Sequence, residues 1–136
     1  MANNKSIGVA FLDQDIIGAQ YLLSDEQIGY TAAAQGTVTQ ATDKSTGVTL
    51  NKGAGRITMN GAALAGNTAV SFTLTNSLIS ANDVIVVNVS AGGTAGAYTT
   101  YISSMTTGSA VVTLRNLTAG SLSEAVVLNY AILHCV

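Results

Sequence analysis

The sequence has no proline, no tryptophan, one cysteine and one histidine, and only 9% of its residues are charged. Each shortage excludes something. With a single cysteine, Cys135, an internal disulfide is impossible, and Cys135 with His134 cannot complete the nitrogen and sulfur set of a structural zinc site. The cations Lys5, Lys44, Lys52, Arg56 and Arg115 never cluster and the net charge is -2, so the basic footprint that binds nucleic acid is missing. No apolar run of about 18 residues occurs without a charge or a strongly polar break, and no membrane-spanning helix is expected. The opening MANNKSIGVAFLDQDIIGA fails as a secretory signal, because Asp13 and Asp15 interrupt its apolar stretch. The lack of proline also removes one of the usual devices that blunt edge strands.

What is present is apolar and uncharged. The chain is 48% hydrophobic, which suits a folded domain and not a disordered one. From Ile57 to Leu114 it carries one formal charge, Asp83, among Ser, Thr, Asn, Gly and small aliphatics. A surface of hydroxyls and amides repels its own copies weakly, so close packing of many subunits is tolerated.

The apolar pattern has a period of two. In AVSFTLT, Val70, Phe72 and Leu74 point one way and Ser71, Thr73 and Thr75 the other, which is a half-buried strand. DVIVVNVS alternates too but is partly apolar on both faces, so a central or doubly covered strand is expected there. Gly92, Gly93 and Gly96 are expected to supply positive-φ positions for a hairpin across residues 84–104, with YTTYISS as its second strand. AVVTLRN and the long EAVVLNYAILHCV follow, and GTVTQ, GVTLN and GRITM precede; Cys135, inside an apolar strand, reads as a buried, inert thiol. About eight strands with short turns and no amphipathic helix predict an all-β, antiparallel β-sandwich or jelly roll with an N-terminal extension.

Two units are expected: an arm over residues 1–35 and a sandwich over 36–136. The arm holds most of the acidic charge together with Phe11, Ile16, Ile17, Tyr21 and Leu22, too much apolar content for a disordered tail. It either adds an edge strand to its own sandwich or packs on a neighbouring subunit, and those five residues are the expected subunit or capsid contacts. Ser24–Gln27, reading SDEQ, has the form of a capping box that starts one helical turn.

Chemistry finds little to work with. GAALAGNT at 61–68 has P-loop glycine spacing, but Asn67 stands where the phosphate-binding lysine belongs and a strand follows. Asp13 and Asp15 share a face in a strand; solvated charges or inter-subunit pairing account for them better than a calcium site, whose full spacing is absent. His134 lies on a face with Tyr130 and Ile132 and reads as a packed or hydrogen-bonded structural histidine. No catalytic residue, cofactor or metal is expected.

Taken in order, TQATDKSTGVTLNK, ITMNGAALAGNTAVSFTLTN, DVIVVNVSAGGTAGAY and SLSEAVVLNYAI resemble a recurrent small β-sandwich of tailed-bacteriophage virions, found among head decoration (cement) proteins, head fibres and tail-associated structural proteins. The resemblance covers about residues 36–133, and MANNKSIGVAFLDQDIIGA is similar to the anchoring arm of such proteins. It implies a non-enzymatic virion protein, made in the host cytoplasm, that sits on the capsid surface as a homotrimer and ties major capsid protein subunits together. The alternative within the family is a tail-fibre or head-fibre module that binds a host-surface glycan or protein. The resemblance also implies that Asp43 and Lys44 stand at the tip of a polar strand and turn.

Overall fold

A computed structural model describes residues 24–135. Eight strands follow one short 3-10 turn at Ala32–Ala34: β1 (Gln35–Thr39), β2 (Val48–Thr49), β3 (Ala54–Thr58), β4 (Ala69–Thr75), β5 (Val84–Ala91), β6 (Tyr98–Thr106), β7 (Ser109–Asn116) and β8 (Val127–Leu133). They form two four-stranded sheets, ordered β1-β3-β8-β5 and β2-β4-β7-β6. The all-β sandwich expected from the period-two pattern is therefore present, and each of the eight sequence segments contributes one strand.

The pairing is mixed rather than wholly antiparallel. β1 with β3 and β2 with β4 are parallel, while the other four pairs are antiparallel. The cause is that β1 to β6 alternate between the sheets. Each crossing reverses direction, so strands two apart in sequence point the same way; β3 lies beside β1 and β4 beside β2, whereas β8 separates β3 from β5 and β7 separates β4 from β6. Among the described residues the one tight hairpin joins β6 to β7, where Thr106 pairs with Ser109 and Gly108 takes φ 83°. The expected hairpin across 84–104 is instead a crossing, since β5 and β6 belong to different sheets. Gly92 and Gly96 have positive φ there and Gly93 does not. A Cβ on Gly92 would lie 2.2 Å from the Ala125 carbonyl oxygen, so close approach as well as φ demands glycine.

The core lies between the sheets. On one side Val70, Phe72 and Leu74 of β4 pair with Leu114, Val112 and Ala110 of β7. Facing them, Ile57 pairs with Leu128, and Tyr130 lies between Gly55 and Val87. Gly55 is needed for space: a Cβ there would stand 2.6 Å from Leu50 Cδ2 and 2.7 Å from Tyr130 Cε1. Ile57, Met59, Leu74, Ile79, Val112, Leu114, Val126 and Leu128 are fully buried, and each contributes about 1.5–3 kcal/mol by leaving water.

Several local expectations are corrected. β5 is an edge strand rather than a central one, and its second apolar row, Val84 and Val86, faces solvent. β8 stops at Leu133, so Cys135 is exposed beyond the strand and not buried within it. Ser24–Gln27 starts no helix; the Ser24 hydroxyl accepts from the Glu26 amide at 3.3 Å in a bend. Lys44 does not stand at a tip, because its side chain turns inward and is only 4% exposed.

Candidate functional site

The expected contact residues Phe11, Ile16, Ile17, Tyr21 and Leu22, with Asp13 and Asp15, lie outside the described residues. The described part of the extension, residues 24–34, adds no strand to either sheet. Lys52 Nζ donates to its Ala33 carbonyl at 2.9 Å, and Tyr30 fastens it further out. The Tyr30 hydroxyl donates to the Ile132 carbonyl, its own carbonyl accepts from Gln35 Nε2 at 3.0 Å, and its ring occupies the place a Cβ on Gly53 would take. Before Tyr30 every described residue is exposed, including Ile28 at 72%.

Tyr30 borders the outer face of the β1-β3-β8-β5 sheet. Register fixes the rows of that face: Gln35, Ala54, Ala131 and Val86 in one, Thr37, Arg56, Asn129 and Asn88 in the next, with Val84 beside Leu133 at one end. Two regions result. Towards β1, Gly29, Tyr30, Gln35, Arg56, Asn129 and Ala131 border an open groove of about 690 Å³. No carboxylate lines it, and Arg56 forms no ion pair among the described residues. Towards β5, Val84, Val86 and Leu133 are 50%, 60% and 63% exposed and form a contiguous apolar strip.

Two polar clusters elsewhere are structural clamps. Asp83, with a fully buried side chain, accepts from the Ser80 amide at 2.8 Å, the Ser80 hydroxyl at 2.7 Å, His134 Nδ1 at 2.8 Å and the Cys135 amide at 3.0 Å. Burial pushes its carboxyl up, but those donors outweigh burial and hold it well below the usual carboxylate range. The lone charge of the 57–114 stretch thus ties the residues after β8 to the turn before β5. His134 is hydrogen-bonded as expected, although it lies past β8 with its side chain 55% exposed. Cys135 Sγ turns to the Leu133 carbonyl at 3.8 Å and makes no bond to His134, so no nucleophile and base are coupled there.

At the opposite end of β5, Lys44 Nζ donates to the carbonyls of Asn60 and Glu124, each at 2.5 Å. Burial lowers the Lys44 pKa, and the Glu124 charge opposes that. The Glu124 carboxylate accepts from the Thr94 hydroxyl at 2.7 Å and the Thr94 amide at 3.1 Å, which lower its pKa. Beside it the Tyr98 hydroxyl is buried without a partner at bonding geometry; burial, then the Glu124 carboxylate, push it up to about 12. This cluster pins four connections, the one before β2, the one after β3, the one after β5 and the one before β8. Its Thr94 and Tyr98 border an open depression of about 330 Å³, which no charged side chain lines.

The 61–68 segment is a loop that enters β4, and its Leu64 bridges to Leu122. Among the described residues, no three His, Cys, Asp or Glu side chains converge as metal ligands would. Sequence reading missed Arg56 and the Val84–Val86–Leu133 strip. The signal for Val84 and Val86 was the second apolar row of DVIVVNVS, and alternation does not tell which of two apolar rows faces out; nothing in the sequence singled out Arg56 or Leu133. Comparison with family models, with curated proteins and with solved structures found no match to this chain.

Proposed function

We propose that this chain is a non-enzymatic virion structural protein, a capsid decoration (cement) protein that binds the outside of a tailed-phage head and ties major capsid protein subunits together. The observation that carries the reading is a sandwich whose buried core is drawn from Val48 to Ile132 while residues 24–29, ahead of the Tyr30 fastening, are exposed. Such an extension is available to anchor the domain elsewhere. The uncharged surface supports the same reading, since copies on a symmetric lattice pack closely and many weak contacts add up. The ordered segments that resemble virion sandwiches supply the class of partner.

The test is deletion of residues 1–23, followed by thermal melting and by co-sedimentation with expanded empty capsids. The shortened protein is expected to stay folded and to lose capsid retention. A shortened protein that melts normally and still sediments with capsids would refute anchoring by the arm. A second reading, a head-fibre or tail-fibre module that binds a host-surface glycan, draws on the groove where Tyr30, Gln35, Arg56 and Asn129 place an aromatic ring beside polar side chains. It requires labelled protein to bind host cells and not capsids.

A further inference from the structure

We propose that the outer face of the β1-β3-β8-β5 sheet of one copy is the docking surface for residues 1–23 of a second copy. The inference deepens the proposed function, since copies joined by their arms hold a capsid lattice by avidity that deletion of residues 1–23 removes, and it can be tested without capsids.

The face comes first. Val84, Val86 and Leu133 stand together half or more exposed, and side chains of this kind gathered in one patch mark an interface. The edge beside them is unguarded as well. Within Val84–Ala91 there is no charge and no proline, and among the described residues its backbone bonds reach β8 alone.

The chain supplies the occupant. Residues 24–30 leave their own domain exposed, with Tyr30 as the last fastening. The 23 residues before Ser24 reach up to roughly 76 Å when extended. That is about twice the ~34 Å diameter expected of a domain this size, so a neighbouring copy lies within reach.

Charge fixes the register. The groove presents Arg56 with no carboxylate, while residues 1–23 carry Asp13 and Asp15, two apart and on one face of an extended chain. From Arg56 to Val86 is two strand spacings across and two residues along, about 12 Å, and four extended residues, the separation of Asp13 from Ile17 on the same face, cover about 13 Å. With Asp13 on Arg56, Ile17 therefore reaches the apolar strip.

The experiment uses the full chain with Cys135→Ser. Ile17→Cys and Val86→Cys are introduced together, and each alone as controls, under mild oxidation at micromolar concentration. Intermolecular disulfides, read as dimers and larger species on non-reducing gels, are expected for the pair above either control. In parallel, light scattering of the otherwise natural chain is expected to give an oligomer that Arg56→Glu weakens about 10-fold or more by setting like charges together. Adding Asp13→Lys and Asp15→Lys to Arg56→Glu should restore it. Arg56 is exposed, and a thermal melt of Arg56→Glu checks that the sandwich still folds. A monomeric full chain, a disulfide confined to one chain, or an oligomer indifferent to Arg56→Glu would each overturn the proposal.

Discussion

Lys44→Met isolates the work of the buried ammonium. The methionine keeps a flexible apolar stem in place and removes the charge, leaving the Asn60 and Glu124 carbonyls without their donor. Hydrogen bonds to a charged group contribute about 1.5–3 kcal/mol each, so the gross loss is about 3–6 kcal/mol. Relief from holding an ammonium that is 4% exposed offsets part of this, for a net destabilisation of about 2–4 kcal/mol. At about 3–5 °C per kcal/mol for a chain of this length, Tm should fall by about 6–20 °C. The comparator is Lys52→Met, which removes one surface bond to the Ala33 carbonyl at 2.9 Å and should cost less than about 1 kcal/mol. Far-UV circular dichroism melts of both variants decide the matter. If Lys44→Met melts within about 2 °C of the parent, or no lower than Lys52→Met, the clamp is not a stabilising one.

Two further outcomes follow from ionisation. Asp83 is held below its ordinary value of 3.8, so its contribution is present above that pH and is lost as pH falls through the depressed folded value. Asp83→Asn should therefore flatten the acid limb of a stability profile below about pH 4, and an unchanged limb would show that its donors do not favour the ionised form. Tyr98 and Tyr130 are both pushed up to about 12, chiefly by burial, so their contribution is complete below 10.0 and is lost as pH rises towards the folded value. Absorbance at phenolate wavelengths should show two of the five tyrosines titrating late or only with alkaline unfolding. Their titration at ordinary pH in folded protein would contradict the burial of the Tyr130 hydroxyl against the Leu50 and Lys52 carbonyls.

Much of the architecture was legible in the sequence because alternation is a local property. Val70, Phe72 and Leu74 declare a strand by themselves, and the same reasoning located all eight strands. Charge scarcity and the lone Cys135 and His134 are likewise facts of composition, and they bounded the chemistry before any fold was known. Pairing was not legible. Whether residues 92–97 turn a hairpin or cross between sheets depends on what β5 and β6 meet, and the glycines there permit both.

The sequence by itself thus determined that this chain makes short strands with little charge to spare and an apolar extension ahead of them. Tertiary structure decided which side each ambiguous residue takes. Lys44 looks like a surface lysine until Asn60 and Glu124, 16 and 80 residues away, bring their carbonyls to its ammonium. Val84 and Val86 look like core until β5 falls at a sheet edge and turns Ile85 inward instead. The physical reason is the same in both cases. Alternation fixes which residues share a face, but burial depends on what covers that face, and the cover comes from strands distant in sequence.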